Sequence, residues 1–282
     1  MATTTLSPCA AQVRRDDPDR YLATLFAPAE AREDLFALHA LNDELARAGE
    51  VATEPLIGAM RLQWWRDALD GIDAGTPRRH PIVEALARGR ARAVWTRPDL
   101  EALIDGRTNE EGAPAVPDLR SLEAHVAATA AVLAGLALDG LGVRDAAVRR
   151  ACRHAALAYG LVGVLRSVPA DARRGRVLLP RDLMAQRGLE PERIAASAAR
   201  EARAAVTASV AELAGAHLLA ARSTAIRPEA RRALPVLLWA TFARWDLRHF
   251  ARVGYDPVAP SLTNPSGLRR LYVAWHGWRG RF

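Results

Sequence analysis

The chain has 282 residues, 50% hydrophobic and 25% charged, a balance that suits a soluble globular protein with one large core or two small ones. A formal charge of +7 points to an anionic partner, but the basic residues alternate with Asp and Glu and no recognition-helix or RNP-like pattern occurs, which excludes nucleic acid. Two cysteines, Cys9 and Cys152, give neither metal spacing nor a disulfide framework and suggest a reducing compartment.

In chain order, residues 1–16 are expected to be a flexible N-terminal tail without a secretory signal. A helix starts at Asp17-Pro18-Asp19, with an acidic cap and an early Pro, and Phe26-Ala27-Pro28 breaks it. Glu30–Gly49 is the next helix, with Leu35, Leu38, Leu41 and Leu45 at three- and four-residue steps. Pro55–Ile72 follows, carrying Trp64 and Trp65 as core residues. After a Gly75-Thr76-Pro77 turn come helices at Pro81–Trp95, Pro98–Gly106 and Ser121–Gly140, with Glu111–Pro117 as a loop. The apolar run Val126–Leu138 is too short to span a bilayer and reads as a buried helix.

Arg144–Val168 is expected to be a long helix ending at Pro169, followed by a basic loop to Pro180 and a short helix at Asp182–Arg187. Pro191–Thr224 and Arg227–Phe250 are further helices. A Pro-rich crossing, Tyr255–Gly267, leads to a last helix at Leu268–Trp278. No alternating strand pattern and no repeat of fixed period appears. The expected fold is all-α, with 17–282 as a single domain. The chain contains no Lys, so all 39 basic residues are Arg; with the Ala and Gly excess this suits a GC-rich bacterial source.

Two segments carry the chemistry. Tyr159–Asp182 reads YGLVGVLRSVPADARRGRVLLPRD, and Arg32–Val51 reads REDLFALHALNDELARAGEV. The first resembles the second signature of the squalene/phytoene synthase family, roughly Q-x-x-N-x-x-R-D-x-x-E-D followed by an Arg- and Gly-rich turn. Arg166, Asp171, Arg174-Gly175-Arg176, Pro180 and Asp182 match. Gly160, Gly163, Ser167 and Ala170 replace the Gln, the Asn, the first Asp and the Glu. The second segment resembles the family's aspartate-rich helix through Leu35, Phe36, Ala37, Leu38 and Ala40. Its three aspartate positions fall on Ala46, Arg47 and Glu50, its Tyr on His39 and its Arg on Asp43. MRLQWWRDAL at Met60–Leu69 and LIDGRTNE at Leu103–Glu110 are similar to further family helices.

The resemblance implies an isoprenoid synthase fold, a helical bundle around a central cavity with facing aspartate motifs. Active members hold Mg²⁺ on those carboxylates, and Mg²⁺ needs near-octahedral oxygen ligands. Here only Glu50 and Asp171 remain as relic metal candidates, so the degenerate positions imply no prenyl transfer and no cofactor. Arg166, Arg174 and Arg176 resemble the diphosphate-contacting arginines, of the type suited to bidentate phosphate contact. The plain alternative is a buried pair with Asp171 or Asp182 that pins the loop.

ALNDELA (Ala40–Ala46), LRSVP (Leu165–Pro169) and the C-terminal LYVAWHGWRGRF (Leu271–Phe282) resemble the family branch of complex I assembly factors. That branch implies a complex I subunit or assembly intermediate as partner and a cytoplasmic place peripheral to the inner membrane (the mitochondrial matrix in a eukaryote). The alternatives are a Mg-dependent prenyltransferase joining two isoprenoid diphosphates, or a protein that binds a prenyl diphosphate or lipid without turnover. His39, alone on an apolar face, reads as a core residue. Gly160 and Gly163 allow either close helix approach or a cavity floor. Leu271, Tyr272 and Trp275 recur at helical spacing, which suggests a helix docked on its own bundle; the mixture of aromatics and Arg also suits an interface or a membrane surface.

Overall fold

A computed structural model describes residues 6–51, 55–92, 94–108, 116–222, 228–259 and 267–282. Residues 111–115 of the expected loop, 260–266 of the Pro-rich crossing, and Asn109 and Glu110 lie outside them. The described elements are helical throughout, with no strand among the described residues. The chain divides into two compact units. One comprises Met1–Gly112, Val132–Arg149 and Arg227–Val236, and the other Ala113–Ala131, Arg150–Ile226 and Leu237–Phe282. The single unit expected over 17–282 is thus divided. Each unit is discontinuous and its boundaries include points inside helices, so no linker or composition shift marks them in the sequence.

The first unit opens with α1 (Pro8–Asp16) and α2 (Pro18–Thr24). The Ser7 hydroxyl caps α1 by accepting from the Ala10 N–H at 3.1 Å, and Pro8 occupies the first turn. Cys9, Ala10 and Val13 are buried, so residues 8–16 are a docked helix and not the expected tail. The apolar stripe is only one turn long and is flanked by polar residues, which hid it. Asp17 caps α2 in the same way, accepting from the Arg20 N–H at 3.0 Å.

α3 (Ala29–Val51) buries Leu35, Leu38, Leu41 and Leu45, the stripe expected from their spacing. α4 (Pro55–Asp73), α5 (Pro81–Ala91) and α6 (Arg97–Thr108) pack around it. Trp65 is buried, while Trp64 is half-buried with the Arg78 guanidinium over its ring at 5.2 Å. Trp95 is fully buried and donates from Nε1 to the Leu136 carbonyl at 2.9 Å, tying in α8 (Val132–Gly140). The Glu229 carboxylate accepts from the Arg144 and Asp145 N–H groups at 2.7 and 2.8 Å.

In the second unit, α7 (Leu119–Val126) runs into a π-helical turn at Ala127–Ala131. α9 (Ala146–Arg173) spans 28 residues and crosses from one unit's segments to the other's. It continues through Pro169, where a stop was expected: Pro removes one donor from the ladder, but its fixed φ is helical. α10 (Arg181–Gln186) follows. The expected run from Pro191 begins with two 3₁₀ turns, and α11 itself is Arg200–Arg222. Buried Arg203 anchors those turns. It donates to the Ile194 and Ala196 carbonyls at 2.6 and 3.0 Å and pairs with Asp256 at 2.8 Å. α12 (Leu234–Arg252) and α13 (Gly267–Trp278) complete the chain. Leu119–Gly140 and Ser197–Arg222 are long and apolar enough to cross a membrane by length and composition, and 56% and 44% of their apolar windows are buried within the protein.

α13 docks through Arg269, Val273 and Gly277, all buried. Of the expected docking face only Tyr272 packs, half-buried against Trp245 at 5.0 Å, whereas Leu271 is 67% and Trp275 49% exposed. Helical spacing cannot tell an inward stripe from an outward one.

The two glycines of α9 have different surroundings. A Cβ on Gly160 would lie 2.4 Å from Val126 Cγ1 and 3.0 Å from Ala130 Cβ, whereas one on Gly163 would meet nothing within 4 Å. Gly160→Ala should therefore lose about 1–3 kcal/mol by overpacking, and Gly163→Ala should be neutral or gain up to about 1 kcal/mol from helix propensity. Urea denaturation of both variants checks this. Equal effects would mean that α9 and α7 do not approach as described.

Candidate functional site

The first half of the candidate site lies on α3, in the first unit. His39, Asp43 and Arg47 recur at four-residue steps and so share a face. His39 is 3% exposed, and burial, then the Arg20 cation, hold its pKa well below the usual value. It is a neutral core residue. Asp43 Oδ2 is buried and accepts no hydrogen bond. Burial first, and then the Asp17 charge, push its carboxyl up to about 8, against the pull of Arg20. Arg47 was expected to face a metal position. Instead its guanidinium pairs with Asp16 of α1 and with Glu44 at 3.1 Å. Gln12, also on α1, donates to the same Glu44 oxygen at 2.7 Å. Ala46 lies in the same stretch, half-buried, and Glu50 is in the helix's last turn with its side chain outside the described residues.

The second half lies on α9 and the loop after it, in the second unit. The Ser167 hydroxyl is in hydrogen-bond contact with Asp171 Oδ2 and with the Val164 carbonyl at 3.0 Å. Asp171 is 7% exposed and lies 4.0 Å from the Arg174 guanidinium. Its carbonyl accepts from the Arg174 and Arg176 N–H groups at 2.9 Å each. Gly175, with φ +68°, makes that tight turn possible. Ala170 is half-buried and adds no polar group.

Arg166 pairs with Asp246 of α12 at 3.5 Å. Asp246 also receives a bidentate contact from Arg269 of α13, with Nε to Oδ1 and a terminal nitrogen to Oδ2 both at 2.7 Å. Arg269 is 5% exposed and stacks over Phe242 at 4.6 Å.

These residues are a poor match to a carboxylate-held Mg²⁺. Of the six degenerate positions, Asp171 alone has a described carboxylate, and one of its oxygens is engaged by Ser167. No group of three or more His, Cys, Asp or Glu able to hold a metal occurs among the described residues. The arginines that could meet an anion are drawn into internal pairs at Arg166 and Arg174.

The squalene/phytoene synthase family model matches residues 13–279. The chain belongs to the squalene/phytoene synthase family. Among curated relatives, it is 32% identical to NADH dehydrogenase (ubiquinone) complex I, assembly factor 6 from Rattus norvegicus, over 97% of this chain and 82% of that one. The Homo sapiens protein of the same name is 30% identical, over 96% and 81%. A phytoene synthase from Rhodobacter capsulatus is 29% identical over 65% of this chain and 54% of its own. Among solved structures, a dehydrosqualene synthase in complex with ligand superposes with a TM-score of 0.79 at 18% identity, covering 96% of this chain and 94% of that one. A squalene synthase from Alicyclobacillus acidocaldarius gives 0.74 at 20%, covering 88% and 94%. The family's all-α isoprenoid synthase fold is therefore the fold of this chain.

Three features were not visible in the family motifs: Asp16 as the partner of Arg47, the Asp246–Arg269 pair, and the protonated Asp43. Only Asp43 had a signal, because it stands where the family has a cation.

Two outcomes follow from this geometry. The folded value of Asp43, about 8, lies above the usual 3.8, so the folded state keeps a proton that the unfolded chain releases. Stability should fall as pH rises through that window, and Asp43→Asn should gain on wild type by roughly 1 kcal/mol per pH unit between pH 5 and 8. Denaturation series across that range test it; a pH-independent difference would rule out a neutral Asp43. Asp246→Ala leaves buried Arg269 without its carboxylate and should cost about 3–5 kcal/mol. The double variant Asp246→Leu/Arg269→Met should lose less than Asp246→Ala, and a larger loss would mean the pair is not what holds α13.

Proposed function

We propose that this protein serves the assembly of respiratory complex I and does not catalyse prenyl transfer. The observation that supports this most directly is the reuse of the motif residues: where active family members need carboxylates for Mg²⁺, Arg47 is paired with Asp16 and Asp171 with Ser167. The similarity to proteins named as complex I assembly factor 6 extends over almost the whole chain, while the similarity to phytoene synthases is partial.

The partner on this reading is a complex I subunit or assembly intermediate. α13 offers it a surface: Leu268, Leu271, Trp275 and Trp278 fall on one outward face, and Trp278 is 81% exposed. Exposed aromatics flanked by Arg suit a protein anchor. Arg279 lies over the Trp275 ring at 4.7 Å. The protein acts in a reducing compartment at the periphery of the inner membrane, consistent with Cys9 and Cys152 being buried and not joined in a disulfide.

Deleting the gene should lower assembled NADH:quinone oxidoreductase on native gels and leave squalene-type lipids and carotenoids unchanged. Purified protein given labelled farnesyl or geranylgeranyl diphosphate with Mg²⁺ should make no product. Normal complex I with missing squalene-type lipids, or metal-dependent diphosphate release with a squalene- or phytoene-length product, would overturn the proposal.

A further inference from the structure

A groove of about 550 Å³ lies within the second unit, between α11 and α12, with Phe282 at its edge. Its volume is within the ~300–1,000 Å³ usual for small-molecule pockets. It follows α11 from Glu212 to Arg222, ten residues and therefore about 15 Å. The walls include Leu218, Leu219, Ala240 and Phe282. Leu219 is 74% exposed, an apolar side chain left in water on a helix that buries Val206, Val210 and Leu218.

One end of the groove is cationic. Arg222 and Arg244 line it. Arg244 donates from one terminal nitrogen to the Tyr272 hydroxyl at 2.6 Å and has His276 Nε2 at 3.3 Å from the same atom. Its Nε is buried and has no hydrogen-bond partner. Arg244 and His276 are both held below their usual pKa, first by burial and then by surrounding cations: Arg222 and Arg248 act on both, and Arg244 and Arg281 act on His276. After burial the main influences are these cations and, on Arg244 alone, the Tyr272 hydroxyl, which acts in the opposite direction. Glu212, the groove's acid, lies at the other end of the α11 stretch. A partly buried guanidinium surrounded by other cations is costly without an anion, and a phosphate is the anion that Arg meets best.

We propose that this groove binds an anionic amphiphile, with its phosphate on Arg222 and Arg244 and its hydrocarbon chain along Leu218, Leu219 and Phe282. The site is separate from both aspartate-motif helices and does not depend on the assembly role. A membrane phospholipid and a free phosphorylated chain present the same chemistry to it.

Gly215 provides a test that spares the fold. It lines the groove, and a Cβ there would meet nothing within 4 Å, so Gly215→Leu fills the groove while improving helix propensity. Binding of dodecyl phosphate, below its micelle threshold, is measured by calorimetry on the full chain beside dodecanol and inorganic phosphate. Wild type should bind dodecyl phosphate one-to-one, and about tenfold or more tighter than either half-ligand. Gly215→Leu should lose that binding with its thermal midpoint unchanged or raised. Arg222→Gln/Arg244→Gln should weaken dodecyl phosphate about tenfold and leave dodecanol unchanged. Vesicles of phosphatidylglycerol with phosphatidylcholine identify the source: sedimentation of wild type but not Gly215→Leu supports a membrane lipid, and no sedimentation alongside dodecyl phosphate binding supports a free ligand. No dodecyl phosphate binding by wild type, equal binding by Gly215→Leu, or dodecanol binding as tightly would overturn the proposal. Complex I levels play no part in this readout, so its failure is distinct from failure of the assembly role.

Discussion

One carboxylate organises the second unit. Asp246 takes both bonds of the buried Arg269 fork and sits beside Arg166, so α9, α12 and α13 meet at a single charge. Ion pairs at the surface contribute little, but this pair is 9% and 5% exposed, and neither partner can be hydrated once α13 is docked. The rest of α13's docking face is small: Val273 and Gly277 are buried beside Arg269 and Tyr272 packs against Trp245 at 5.0 Å, while Leu268, Leu271, Trp275 and Trp278 are exposed. Hydrophobic burial therefore does less to hold α13 than its composition suggests, and the bidentate pair does more. The outward stripe is free for other contacts because the pair does this work.

The same economy of charge explains the two motif helices. A family active site concentrates carboxylates that only a dication makes tolerable. Without them, the charges that remain need neighbours. Arg47 finds Asp16 and Glu44, Asp171 finds Ser167, and Arg174 lies at the edge of ion-pair range. Asp43 has Arg20 and a hydrogen bond from Asn42 to set against burial, Asp17 and Asp16, and its carboxyl is pushed up to about 8. Each local solution also fixes geometry. The Arg47–Asp16 pair attaches α1 to α3, and the Asp171 carbonyl closes the Arg174–Arg176 turn. These motif residues thus take part in the packing of their own helices.

Much of this was legible in the sequence. The leucine stripe of α3 emerged where its spacing put it, and the all-α class followed from the absence of alternating segments. The family followed from two motif frames whose ligands had gone. What the sequence hid has physical causes. α1 has one short buried turn, preceded by Thr and Ser and followed by charged residues, so it looked like a tail. Pro169 looked like a stop because it removes a donor and its ring crowds the carbonyl four residues back, yet α9 runs on to Arg173. The stripe at Leu271 and Trp275 was visible, but its direction was set by Arg269 finding Asp246, a contact 23 residues away. Long-range ion pairs leave no periodicity, and Arg in so Arg-rich a chain carries almost no local information.

The glycines show the same division between pattern and environment. Gly160 and Gly163 are equivalent in sequence, three residues apart on one helix. One is required because Val126 and Ala130 occupy the space a side chain would need, and the other faces open space. In the family frame these positions carry Gln and Asn. A Gln at 160 would have to displace Val126 and Ala130, whereas an Asn at 163 would enter open space. Restoring the family's residues would therefore need the backbone near Val126 to move at one position and no neighbour to move at the other, so two replacements that look alike in the motif differ in what the packing demands of them.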